Sequence, residues 1–389
     1  MSCLPGRALR RLRSVLAVPV EAGDAGSGWS QAEPYPPFGS FIEVDWLGCR
    51  TVRAKVDMAA SESKVDIDVV GFGNALVDVL SYQEDALIEG IGATKGAMNL
   101  VDAARSAELY ELVGERVTVS GGSAANTVIG VSSLGGTSGY VGRVADDELG
   151  DIFSSDMQRL GIVHATPRAP ANDPTGRCII FITPDGERTL NTFLGASNGL
   201  CSSDVDLDLV ARAKLLFLEG YLWDPPEAKA AMRHAASGVG PEGRVALTLS
   251  DQFCVERHRA SFLDLINDHV DVLFANNHEV MSLFDVDDLD RAIEMAQALV
   301  GLTVVTMGGE GSVLVTPEGL TRIAADPVAR VVDKTGAGDL YAAGVLYGLA
   351  RGYDLQRCGR LGSLAAEEVI GHVGPRPETS LRDLAGPLA

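Results

Sequence analysis

Asp333-Lys-Thr-Gly-Ala-Gly-Asp339, followed at once by Leu340-Tyr-Ala-Ala-Gly-Val-Leu-Tyr-Gly-Leu-Ala350, is a turn of small residues that runs straight into an apolar helix. Its glycines let the backbone approach a ligand closely. The N–H groups of Gly336, Ala337 and Gly338 fall at a helix N-terminus, where an anion is favoured. Asp339 falls at the same place and can face a substrate hydroxyl beside a bound phosphate. An anion hole next to a carboxylate base offers positioning, charge stabilisation and a proton acceptor, which phosphoryl transfer requires. For this segment taken alone a plainer reading stays open, with Asp339 as an N-cap and the glycines as a tight turn.

Outward from the turn, the chain alternates apolar strands with helical stretches. Val65–Val70 is β-rich and ends in Gly71-Phe-Gly73, and Ser123–Leu134 reads as a helix closed by Gly135-Gly136. Thr137–Val144, Leu215–Glu219, Val245–Leu249, Asp271–Ala275 and Thr303–Met307 read as further strands. This pattern predicts βαβ units in a three-layer α/β/α fold, Rossmann-like, with a mostly parallel sheet covered on both faces. Gly176–Thr183 and Arg188–Leu194 are joined by Pro184-Asp-Gly-Glu187, a hairpin signal. The expectation is a small β lid inserted in the N-terminal half of a kinase-like domain spanning 65–389, including about 173–198.

Residues 1–64 differ from the rest. They open with Arg7, Arg10, Arg11 and Arg13, continue through Gly/Ser/Pro-rich sequence with Glu33-Pro-Tyr-Pro-Pro37, and show no apolar period. An organelle transit peptide, a disordered extension and sequence upstream of the true start all fit. The last is favoured here, with Met58 as a natural start.

The chain has 389 residues, 46% of them hydrophobic, and a formal net charge of −21. Such an acidic surface argues against nucleic acid or an anionic membrane as partner. No apolar run approaches a membrane span. The six cysteines are scattered without metal-ligand spacing, which points to free thiols and a cytoplasmic setting.

A second segment, Gly121-Gly-Ser-Ala-Ala-Asn126, also opens a helix, with Ser123 and Asn126 on one face. The two segments together, in this order, resemble the paired signatures of the PfkB/ribokinase family over about Val65 to Pro377. The resemblance implies a ribokinase-like fold with a β lid, ATP as donor and Mg²⁺. It assigns Asp339 as catalytic base and Gly336, Ala337 and Gly338 as the anion hole. Asn276-Asn-His-Glu279 fits the family's N-x-x-E motif, with Asn276 toward phosphate and Glu279 toward the metal. Thr306, Gly308 and Gly311 fit its nucleotide loop, and Arg188 on the hairpin is expected to reach the transferred phosphate. Many relatives respond to K⁺, for which the neighbourhood of Asp333 and Gly374 is the expected place. Lys334 departs from the commoner Thr or Asn of the turn.

Gly73-Asn74-Ala-Leu-Val-Asp78 follows the first strand, at the edge where α/β sheets place ligands. A carboxylate there can accept two hydrogen bonds from a vicinal diol. The segments Gly73–Asp78, Gly121–Asn126 (with Gly122 and Ser123) and Arg188–Asn198 resemble those of adenosine kinases within the family. On that resemblance Asn74, Asp78, Gly122, Ser123, Asn126, Arg188 and Tyr221 hold the substrate, and the Tyr221 ring stacks on a base. The implied activity is transfer of the ATP γ-phosphate to the 5′-hydroxyl of adenosine. A sugar kinase for ribose or fructose is the alternative, and a non-catalytic nucleotide- or sugar-binding regulator a minor one. The partner is a small molecule in each case, and the chain is a monomer or homodimer.

Overall fold

The computed structural model describes residues 65–389 apart from Gly186 and Ala329. The readings made for residues 1–64, the start at Met58 included, and for the glycine of the Asp-Gly turn lie outside the described residues.

A nine-stranded sheet runs through the molecule. In chain order its strands are β1 (Ile67–Phe72), β5 (Ser138–Val141), β6 (Val163–His164), β9 (Ala213–Glu219), β10 (Arg244–Thr248), β11 (Val272–Asn276), β12 (Leu302–Thr306), β13 (Ser312–Thr316) and β14 (Gly319–Ile323). Their spatial order is β14-β13-β12-β11-β10-β9-β1-β5-β6. Every pairing from β12 to β6 is parallel, and β13 and β14 add an antiparallel edge. All six residues of β1 are buried, as expected of a central strand covered on both faces.

One apolar layer joins Val70, Phe72 and Leu216 to the helices Pro226–Gly238, Gln252–His269, Asn277–Phe284 and Leu289–Gln297. The other joins Val69, Leu215 and Phe217 to Ser123–Ser133, Glu148–Arg159, Ala337–Ala350 and Leu355–Ile370. The chain has the expected three-layer ribokinase-like architecture. Gly130 lets the helices Ser123–Ser133 and Ala337–Ala350 touch: a Cβ there would stand 2.6 Å from the Ala343 Cβ. That contact sets the two helix N-termini side by side.

A second, five-stranded sheet has the order β3-β8-β7-β2-β4, built from β2 (Leu76–Tyr82), β3 (Met98–Leu100), β4 (Val117–Gly121), β7 (Gly176–Ile182) and β8 (Arg188–Phe193). β7 and β8 form the expected antiparallel hairpin. The sheet is larger than the sequence reading foresaw, because 76–82, 98–100 and 117–121 join it. Asp78, read as following the first strand, stands within β2. Its side chain interrupts an otherwise apolar run, which hides the strand from pattern reading. One face of this sheet packs Val79, Ile179 and Phe181 on Ile88, Leu109 and Val113. The other face carries Asp78, Cys178 and Thr192 in register.

The strand read at Thr137–Val144 is shorter, ending at Val141. Beyond it the Gly142 N–H bonds the Thr166 hydroxyl instead of continuing a ladder.

Candidate active site

The candidate residues gather at the carboxyl edge of the parallel sheet. β1 has its parallel neighbours β5 on one side and β9 on the other, and that change of direction is where open α/β sheets bind ligands. Across it Asn74, just after β1, donates from Nδ2 to the Glu219 carboxylate at the end of β9 at 2.7 Å. The other Glu219 oxygen accepts from the Ala124 N–H at 2.9 Å, in the first turn of the Ser123 helix. Burial pushes the Glu219 carboxyl up to about 7, against the pull of these hydrogen bonds.

Asp339 lies in the first turn of the helix Ala337–Ala350. The Ser123 hydroxyl donates to one of its oxygens at 2.6 Å and Asn126 Nδ2 to the other at 3.0 Å. Both side chains read from sequence as substrate ligands thus hold this carboxylate. Asn126 Oδ1 and Asn74 Oδ1 are buried without a partner among the described residues. Burial raises the Asp339 carboxyl above its ordinary range, and the two hydrogen bonds oppose the rise.

Gly336 caps the helix at φ 79°, and a Cβ there would stand 2.7 Å from Pro375. Only glycine meets both conditions. Around Gly338, by contrast, a Cβ would meet nothing within 4 Å. Open space therefore faces the helix N-terminus, where a ligand anion is favoured. Of the three expected N–H donors, Ala337 already bonds the Lys334 carbonyl at 3.2 Å. The Lys334 side chain is exposed.

Asp333 is buried at the start of the turn. One oxygen accepts from the Thr335 N–H and hydroxyl at 3.0 and 2.8 Å. The other accepts from the Gly374 N–H at 2.9 Å and pairs with Arg188 Nη1 at 2.8 Å. A carboxylate offers about four lone-pair sites, and all are engaged. Arg188 thus brings a positive charge to the Asp333 and Gly374 neighbourhood. Arg188 Nη2 is buried without a partner among the described residues, beside the anion turn.

Asp78 is buried on β2, with the backbone of Gly121 against it: a Cβ on Gly121 would lie 2.5 Å from the carboxylate. Burial moves this carboxyl up to about 6, opposed by Arg376 and Arg188 and assisted by the charge of Asp339. Gly122 separates Gly121 from the helix at φ 103°, tight against the Asn74 carbonyl.

Tyr221 sits in the turn after β9 with its side chain 38% exposed. Burial of its hydroxyl end and the charges of Asp251, Asp339, Glu279 and Glu219 all raise its pKa. Asn276 and Glu279 form a reciprocal capping box: Asn276 Oδ1 accepts from the Glu279 N–H, while the Glu279 oxygens accept from Asn276 N–H and Nδ2 at 2.9 and 2.7 Å. Burial, with Asp251 adding repulsion, brings the Glu279 carboxyl to about 7. Thr306 is the register partner of Asn276 on the next strand. Gly308 and Gly311 follow in the turn between β12 and β13, both at positive φ.

Open space at a helix N-terminus, a carboxylate in that helix's first turn and a second, buried carboxylate within its electrostatic reach suit group transfer to a hydroxyl. The sequence matches the family described as pfkB family carbohydrate kinase over residues 85–381. The chain belongs to that family. It is therefore a phosphotransferase with a hydroxyl acceptor. The pfkB relatives include an adenosine kinase of Saccharomyces cerevisiae, 30% identical over 79% of this chain and 96% of the relative. Among solved structures, adenosine kinase from Sinorhizobium meliloti is 47% identical, with a TM-score of 0.78 over 83% of this chain and all of that one. A probable sugar kinase from Rhizobium etli CFN 42 is 45% identical, with a TM-score of 0.78 over 84% of this chain and all of its own. Among the described residues no helix is long and apolar enough to cross a membrane.

The fold thus brings Asp339, Ser123, Asn126 and the anion turn together, with Asn74 at the next N-terminus and Arg188 on the turn. Thr306, Gly308 and Gly311 stand at the end of β12 and in the turn after it, four strands away from β1. Two residues escaped the sequence reading. Glu219 closes the strand read at Leu215–Glu219, and a glutamate at the end of an apolar strand was its only signal. Arg376, in the loop after the helix Leu355–Ile370, carries no signal in its local sequence.

Proposed function

We propose that this pfkB kinase transfers the γ-phosphate of ATP to the 5′-hydroxyl of adenosine, giving AMP and ADP. Asp78 accepts hydrogen bonds from the ribose diol and Asp339 faces the 5′-hydroxyl. As the hydroxyl oxygen attacks the γ-phosphorus, its proton passes to an Asp339 oxygen and the bond to ADP breaks. The N–H groups of Gly336 and Gly338, with Arg188 Nη2, take the charge on the phosphoryl oxygens. The five-stranded sheet acts as the lid that excludes water, and Thr306, Gly308 and Gly311 border the nucleotide.

Glu279 is the group toward Mg²⁺. Its carboxyl is raised by burial and, to a smaller degree, by the charge of Asp251, a strain that a cation would relieve. Among the described residues no cluster of three or more acidic, His or Cys side chains offers a protein cage for a metal. A sparse set of this kind suits Mg²⁺, which keeps waters and phosphate oxygens as ligands. When bound, the ion would neutralise charge on the phosphates.

The observation that carries the nucleoside reading is Tyr221, a partly exposed aromatic residue after β9 within electrostatic reach of Asp339. A base has a π-face to lay on it, and a free sugar has none. The similarity to the Rhizobium etli probable sugar kinase supports a sugar as the second reading, with ribose, fructose or a relative as the candidates. An ADP-release assay over nucleosides and sugars separates them. Adenosine should give the highest kcat/KM, and turnover of ribose or fructose without adenosine would overturn the nucleoside reading.

A further inference from the structure

Arg376 reaches the substrate face from a loop remote in sequence. Its Nη2 donates to the carbonyl of Ser120 and, at 2.9 Å, to the Ser120 hydroxyl, 256 residues away. Ser120 is itself fixed, its N–H and hydroxyl donating to Asp156 at 3.2 and 2.8 Å. On β4 it faces Val77 of β2, the residue before Asp78, and the next residue on β4, Gly121, abuts the Asp78 carboxylate. The same loop holds the anion turn: the Gly374 N–H bonds Asp333, and Pro375 packs on Gly336. Arg376 Nε is buried and has no partner among the described residues.

We propose that Arg376 is a positioning residue for the substrate: clamped on Ser120, it sets Gly121 of β4 against the Asp78 carboxylate and brings a positive charge to bear on that acceptor of the diol. The proposal rests on Asp78 as the diol acceptor, which the nucleoside and sugar readings share.

The charges facing Asp78 are Arg376 from this loop, Arg188 from β8 and Asp339 from its helix, with the Cys178 thiol beside it on β7. Arg376 in turn faces Asp78, Asp156, Arg159 and Tyr140. Of the groups opposing the effect of burial on Asp78, Arg376 is the larger and Arg188 the smaller. Without Arg376 the Asp78 proton would bind more tightly. Substrate affinity, which needs the ionised form, would then fade at a higher pH.

The test is the dissociation constant of adenosine without ATP, by calorimetry on the full chain, from pH 5 to 8. The parent should lose affinity as pH falls through about 6. Arg376→Gln should begin its loss about one pH unit higher, the effect of removing an opposite charge, and should therefore bind about tenfold more weakly at pH 5 but only about twofold more weakly at pH 7. Arg376→Met keeps the packing of the stem and gives the same test should the glutamine variant fail to fold. Arg376→Lys restores the charge and should return the titration toward that of the parent. A folded Gln or Met variant whose affinity falls at the parent's pH, however weak its binding, would overturn the proposal. Should the parent bind ribose and not adenosine, the nucleoside reading fails alone, and the same series run with ribose decides the role of Arg376.

Discussion

The Ser123 hydroxyl and an Asp339 oxygen meet at 2.6 Å across 216 residues of sequence. Burial disfavours the charge on Asp339, and this bond is the larger of two that restore it. A hydrogen bond to a charged acceptor is worth about 1.5–3 kcal/mol, or at least about one pH unit.

Ser123→Ala removes that support. The carboxylate must be ionised to take a proton, and without the bond it becomes protonated at higher pH. The acidic limb of kcat should therefore move up by about one pH unit, with kcat on the alkaline plateau little changed. A pH–rate profile checks this, and an unmoved limb would show that Ser123 does not tune Asp339.

Much of this arrangement is legible in the sequence, because the signals are local. The turn from Asp333 to Asp339 and the Gly121-Gly122-Ser123 start each declare a helix N-terminus within a few residues, and the βαβ rhythm declares the sheet. The roles that stayed hidden are long-range. Glu219 reaches Asn74 across 145 residues and Arg376 reaches Ser120 across 256, so neither pairing leaves a spacing to read. Ser123 and Asn126 were legible as polar groups on one face. That the face meets Asp339 depends on two helices packing through Gly130 and Ala343.

Two neighbouring glycines should respond differently. Gly336→Ala places a methyl against Pro375 at a left-handed φ, so the melting temperature should fall along with activity. Gly338→Ala meets open space, so stability should hold while the methyl crowds the phosphate off the N–H donors and kcat/KM drops, at most by the roughly hundredfold that losing one oxyanion donor costs. Thermal melts and kinetics on both variants check the pair.

Asp78 and Tyr221 separate diol from base. Asp78→Ala should lower kcat/KM at least about tenfold with any ribosyl substrate, through loss of charged hydrogen bonds. Tyr221→Ala should cost stacking of about 1–3 kcal/mol with adenosine, and Tyr221→Phe should keep most of it. Equal losses for the Ala and Phe variants would mean that the hydroxyl matters and the ring does not.

Glu279→Gln keeps a capping-box residue type, so the melting temperature should change little. The Mg²⁺ concentration for half-maximal activity should rise roughly tenfold. A titration with Mg²⁺ at fixed ATP reads this directly, and an unchanged midpoint would remove Glu279 from the metal's surroundings.

The proposed transfer turns on Asp339 as the proton acceptor. Asp339→Asn is nearly isosteric and can still be held by Ser123 and Asn126. Fold and substrate affinity should survive while single-turnover transfer from ATP slows by about 10²–10⁴-fold, the usual cost of a lost general base. A variant that transfers phosphate within a few-fold of the parent rate would contradict the mechanism at its centre.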